Sequence, residues 1–140
     1  MTITQSKRKS KQIKAFSKRV WEDANKEHYG ENISFDNHEI VLIARKNNII
    51  VGMLSARLGN GVVYIRELLV DYSYQGKGIG KTLFHQIEEI AKEKKYHKIY
   101  LETGKGWKAE KFYLANGFEK TTELKNHYHN KDFVLYMKFI

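Results

Sequence analysis

The chain has 140 residues, 41% of them hydrophobic, which suits a single core. It contains no cysteine, so disulfides, zinc–thiolate sites and thiol catalysis are excluded. The formal charge of +9 favours anionic partners: a polyphosphate cofactor, nucleic acid or an acidic protein. No apolar run approaches the roughly 20 residues that span a bilayer. The basic N-terminus lacks the apolar segment of a signal peptide, so a cytoplasmic protein that does not enter the membrane is expected.

In chain order, Ser10 to Lys26 reads as a helix. Ile13, Phe16, Val20, Trp21 and Ala24 recur at helical spacing and predict a buried stripe. Lys7, Arg8, Lys9, Lys11, Lys14, Lys18 and Arg19 would form its solvated face. They could instead be a nucleic-acid-binding arm, but no aromatic residues interleave the basic run. Residues 31–38 are polar and irregular. Ile40 to Arg45 and Ile49 to Leu58 read as strands joined at Asn47-Asn48. Gly59-Asn60-Gly61 is a second turn, and Val62 to Asp71 completes an antiparallel meander. Ile79, Leu83, Phe84, Ile87, Ile90 and Ala91 mark a helix with one apolar face. Lys98 to Thr103 is a strand and Lys108 to Asn116 a helix. Phe118 to Leu124 and Phe133 to Phe139 form a last pair of strands. No repeat or linker divides the chain, which predicts one domain over residues 1–140.

The most informative stretch joins the third strand to the next helix: Gln75-Gly76-Lys77-Gly78-Ile79-Gly80-Lys81. A glycine-rich bend there gathers backbone N–H groups and the positive end of a helix dipole around one point, which suits phosphate. Two common phosphate loops fail by one residue. A P-loop ending at Gly80-Lys81-Thr82 would need glycine at Gln75, and the dinucleotide fingerprint beginning at Gly76 would need glycine at Lys81.

Gln75-Gly76-Lys77-Gly78-Ile79-Gly80 instead resembles the pyrophosphate loop of the GCN5-related N-acetyltransferases, the GNAT family. Ala109 to Phe118, a helical tract with Phe112-Tyr113 that ends in Asn116-Gly117-Phe118, resembles that family's second signature. The two motifs lie in the family's order, and the resemblance covers about Ile40 to Phe139. It implies an α+β fold with a central, mostly antiparallel, twisted sheet of six to seven strands flanked by about four helices. The family's opening strand has a poor candidate in Met1 to Gln5, so it is expected to be short or missing.

The resemblance further implies acetyl transfer from acetyl-CoA to a primary amine on a small molecule or a protein, without metal. Gln75, Gly76, Lys77, Gly78, Ile79, Gly80 and Lys81 would hold the diphosphate. The amides of Leu68, Leu69 and Val70 would pair with the pantetheine arm and stabilise the thioester oxygen. Tyr113 would protonate the departing sulfur. Many relatives contact the cofactor through an asparagine where this chain has Gly106.

Glu67 is the first candidate for the base. It is a lone carboxylate in the apolar run Tyr64 to Val70, where partial desolvation would favour proton uptake. Its bland alternative is an ion pair at the sheet surface. Glu102, on the strand Ile99 to Glu102, is the rival. His127 and His129 flank Tyr128 in the polar loop before the last strand, but lack acidic or thiol partners at ligand spacing. That loop is expected to border the acceptor pocket, as it does in relatives. A homodimer is compatible with the resemblance, and nucleic acid is the disfavoured partner. Two other classes stay open: a basic nucleic-acid-binding module and a non-catalytic acetyl-CoA sensor.

Overall fold

A computed structural model describes all of residues 1–140, in two compact units, Met1–Phe35 and Asp36–Ile140.

The first unit is built on helix α1, Lys11–Tyr29. Ser10 caps it by accepting the Ile13 amide, and left-handed Gly30 stops it. The expected apolar stripe has the right spacing, but it is not buried. Phe16 and Trp21 are about 60% exposed, and only Asn25 is fully buried. A 35-residue unit has too little chain to cover such a face. Trp21 and Tyr29 instead lean against Phe35.

The second unit carries a six-stranded sheet: β1 (Asn37–Lys46), β2 (Ile49–Gly59), β3 (Val62–Val70), β4 (Lys98–Gly104), β5 (Glu119–Leu124) and β6 (Phe133–Phe139). The strand order is β1-β2-β3-β4-β6-β5, and only the β3–β4 pair is parallel. The turn residues act as their type requires. Asn47 and Asn48 both take positive φ in the β1–β2 hairpin, as do Asn60 and Gly61 in the next. Helices α2 (Ile79–Glu93) and α3 (Ala109–Ala115) cover one face. Three α-helices are present where the resemblance implied about four, and residues 31–36 are irregular.

The core lies between that face and α2. Leu54, Ala56 and Leu58 of β2, Val63 and Ile65 of β3, and Ile99 and Leu101 of β4 meet Leu83, Phe84, Ile87 and Ala91 of α2. Each of the Val, Leu, Ile and Phe side chains among them contributes about 1.5–3 kcal/mol through burial.

Two irregularities position the site. At the first, pairing jumps from Ser55–Glu67 to Ala56–Ile65, which leaves Arg66 as an extra residue, a β-bulge. The second is a parting of β3 and β4. They pair only from Val62–Lys98 to Tyr64–Tyr100, although both strands run on. Beyond Tyr64 they diverge and leave a gap in the sheet.

Candidate active site

The glycine bend closes a cleft of about 530 Å³ between the end of β3, the start of α2 and α3. Its lining includes Leu68, Val70, Gln75, Gly76, Gly78, Ile79, Gly80 and Lys81, all among the residues the resemblance assigns to the cofactor, and Tyr113. Gly76 and Gly78 have φ of 74° and 82°, and nothing stands within 4 Å of where a Cβ would be. The surroundings leave room for a side chain at both; the backbone conformation is what calls for glycine. Gly78 is the N-cap of α2 and offers no side-chain acceptor, so the first amides of the helix have no capping partner. This cradle of bare amides, with Lys81 beside it, fits a diphosphate.

The orientation of the β3 amides follows from one bond. Asp71 N donates to Val51 O of β2 at 3.0 Å. Amides alternate sides along a strand, so Leu69 also points its N–H at β2, whereas Leu68 and Val70 point theirs toward the gap. Gln75 Nε2 donates to Val70 O from that same side at 3.1 Å. Leu69 therefore departs from the expectation: its amide faces β2 and its side chain is half-exposed, outside the cleft. Lys77 departs too. Its ammonium folds back to Ser73 O at 3.1 Å and lies over the Tyr74 ring. Lys108 at the start of α3 lines the cleft instead, with Tyr74, Ala109, Phe112 and Asn116. No residue pattern marks Lys108; only the fold brings it there.

Tyr113 is 7% exposed and packed against Phe112, Phe118 and Tyr136. Burial pushes its phenol up to about 12, so it holds its proton through the physiological range. The helix stops as expected, but left-handed Gly117 does this alone, since Asn116 has φ −101°. The wall ahead of α3 is shaped by Glu110, which accepts from the Gly106 amide and the Tyr136 hydroxyl. Both bonds hold its carboxyl below the usual range, the tyrosine more strongly.

On the opposite face, two carboxylates flank the gap. Glu67 stands on the β3 wall and accepts from Ser55 Oγ at 2.9 Å. It is exposed, so the expected shielding is absent: the bulge turns two successive residues, Arg66 and Glu67, outward. Arg66 does not pair with Glu67 but with Glu39. Glu102 stands on the β4 wall with its side chain only 19% exposed. Its Oε1 accepts the hydroxyls of Tyr64 and Tyr128, each at 3.1 Å. Burial, then the Glu102 charge, push the Tyr64 phenol up to about 12; the bond to Glu102 raises that of Tyr128. The Tyr64–Glu102 bond joins β3 to β4 at the closed end of the gap. His127 Nε2 lies 3.9 Å from the same Oε1. No group of three or more His, Cys, Asp or Glu side chains gathers as a metal site. No helix is long and apolar enough to cross a membrane.

Comparison with known proteins gives three findings of use. A bacterial acetyltransferase structure from Bacillus cereus has the same fold, at TM-score 0.75 and 22% identity over 98% of both chains. The Arabidopsis thaliana Naa50 structure, in complex with a bisubstrate analogue CoA-Ac-MVNAL, is 30% identical at TM-score 0.65, over 70% of this chain and 71% of that one. Glucosamine 6-phosphate N-acetyltransferase from Trypanosoma brucei brucei is 37% identical over 62 residues, 44% of this chain and 41% of that enzyme. The aligned segments span less than half the length of the curated relatives matched. The profile of the acetyltransferase (GNAT) family matches residues 7–118, most of the chain and every residue that lines the cleft, and the chain belongs to that family.

Proposed function

We propose that the protein is an acetyl-CoA-dependent N-acetyltransferase that acts on a primary amine, and that it works in the cytoplasm. The observation that carries this is the bare-amide cradle at Gly76–Lys81, continuous with a buried phenol on one side and with a gap in the sheet on the other. Relatives include one enzyme named as a glucosamine 6-phosphate N-acetyltransferase and a structure in complex with the bisubstrate analogue CoA-Ac-MVNAL.

Acetyl-CoA supplies an activated acetyl thioester. Four tasks fall to the chain. The Gly76, Gly78, Ile79, Gly80 and Lys81 backbone, with the Lys81 and Lys108 charges, holds the diphosphate. The Leu68 and Val70 amides donate toward the thioester oxygen, where a preorganised donor is worth about 3 kcal/mol. Tyr113 donates its proton to the departing sulfur, and its elevated pKa keeps that proton available. Glu67, exposed at the far mouth of the gap, takes the amine's proton through water. Thiol release from acetyl-CoA across an amine panel tests the reading. Turnover of at least one primary amine is expected. Cofactor binding with every amine inert would make the protein a sensor instead.

A further inference from the structure

The two edges of the sheet are built differently. β5, at one edge, is polar along most of its length and carries Thr121 as an extra residue in a bulge. Its Glu123 is tied to Lys105 and Lys120 at 2.9 Å each. Charge and bulges keep an edge from pairing with another chain. β1, at the other edge, lacks such protection over its middle. The run Ile40-Val41-Leu42-Ile43-Ala44 holds no charge, and the ladder's irregularity at Ala44/Arg45 adds its extra residue, Val51, to β2. The N–H and C=O groups of this run that point away from β2 face no neighbouring strand. Ile40, Leu42 and Ala44 pack on the core. Val41 and Ile43 lie on the other face, about half exposed. There Ile43 stands opposite Met53 and Met53 opposite Leu69, an apolar row that ends at the open edge.

β1 is complementary to itself when reversed. Antiparallel pairing about Leu42 sets Ile40 opposite Ala44, Val41 opposite Ile43 and Glu39 opposite Arg45 of a second copy. Opposed residues share a face, so apolar groups meet apolar groups on both faces, and an acid meets a base on each side of the axis. An axis at Val41 would set Glu39 against Ile43, and one at Ile43 would set Arg45 against Val41. Both charged groups have capacity to spare. Arg66 holds only Oε1 of Glu39, and Asn48 O takes only Nη1 of Arg45, at 3.3 Å. A foreign strand would have to reproduce this pattern, whereas a second copy carries it. We infer that β1 is the interface of a homodimer, in which two copies pair antiparallel about a two-fold axis at Leu42 and join their sheets into one. The contact is isologous and closes on itself, so it gives a dimer and no polymer. It is independent of the chemistry at the cleft.

Sedimentation equilibrium of the full chain, from micromolar to millimolar concentration, is expected to show monomer and dimer and nothing larger. Val41→Lys changes an exposed side chain, so it should keep the wild-type circular dichroism. It should lose the dimer, because it sets a charge against Ile43 of the second copy. Thr121→Lys, on the β5 edge, should leave the dimer intact. Glu39→Arg should weaken the dimer by opposing two cations. Glu39→Arg combined with Arg45→Glu should restore it, since a base and an acid then face each other again. The Glu39–Arg66 pair is exposed on both sides, so its loss in these variants costs the fold little. A monomer throughout the range, whether β1 stands open or is covered by another segment of the same chain, would overturn the inference. So would a dimer that survives Val41→Lys, one that Thr121→Lys dissolves, or a charge swap that fails to restore association.

Discussion

The Tyr113 hydroxyl is the atom on which the proposed chemistry is most exposed to test. Tyr113→Phe keeps the ring packing on Phe118 and Tyr136 and removes only the hydroxyl that carries the proton. Turnover should fall about 10²-fold or more, the usual worth of a positioned acid, while acetyl-CoA affinity holds. Unchanged kcat in steady-state assays would remove Tyr113 from the mechanism. The two inner glycines separate backbone freedom from access. At Gly78, φ of 82° makes any side chain strained, so Gly78→Val should both destabilise the bend and weaken acetyl-CoA binding. At Gly80 a Cβ would touch Phe112 and Val70 at only 3.5 and 3.6 Å, ordinary contacts. Gly80→Ala should keep the melting temperature yet lose cofactor affinity, since the new methyl occupies the cleft. Calorimetric titration beside a thermal melt distinguishes the two; an unaffected Kd in Gly80→Ala would count against the cradle.

At the scale of elements, the start of α2 is seated by Gly52 of β2. A Cβ there would meet Ile79 Cγ2 at 2.9 Å and Leu83 Cδ1 at 3.2 Å. Gly52→Val should therefore displace the helix end that presents the phosphate amides. It should lower stability by about 1–3 kcal/mol, as overpacking does, and lower acetyl-CoA affinity with it. Denaturant melts and titration of the same sample check both. The strands, turns and α2 were legible because their signals are local: alternation, Asn-Asn and Gly-Asn-Gly turns, and an apolar face from Ile79 to Ala91. The glycine cradle was legible for the same reason. What stayed hidden depends on contacts across the sheet. Nothing near Glu67 in sequence reveals that a bulge at Arg66 turns it outward onto Ser55. The alternation of Leu69 away from the cleft depends on its register with β2, and the Lys77 side chain on a contact with Tyr74. The stripe on α1 was read correctly as a pattern and wrongly as a buried one, because periodicity reports what could be covered and not whether anything covers it.

The whole molecule carries a pH dependence that its tyrosines fix. The folded state holds the Tyr113 proton more tightly than the unfolded chain, whose phenol keeps the ordinary value of 10 against about 12 when folded. The resulting stability is complete below pH 10 and is lost as pH rises from 10 through about 12. Tyr64 and Tyr136 shift in the same direction. The melting temperature of the wild type should therefore fall toward that of Tyr113→Phe over this range; a difference that stays constant from pH 8 to 11.5 would contradict it. The molecule is also strongly cationic, at +9, which suits a site whose ligand is a polyphosphate. The most direct test of the central claim is a thermal melt with equal concentrations of acetyl-CoA, coenzyme A and S-acetylpantetheine, which lacks the diphosphate. Acetyl-CoA and coenzyme A should both stabilise the fold, by about 2.7 kcal/mol at a hundredfold excess over Kd, and S-acetylpantetheine should not. Equal stabilisation by all three, or by none, would mean that the Gly76–Lys81 amides do not hold a diphosphate.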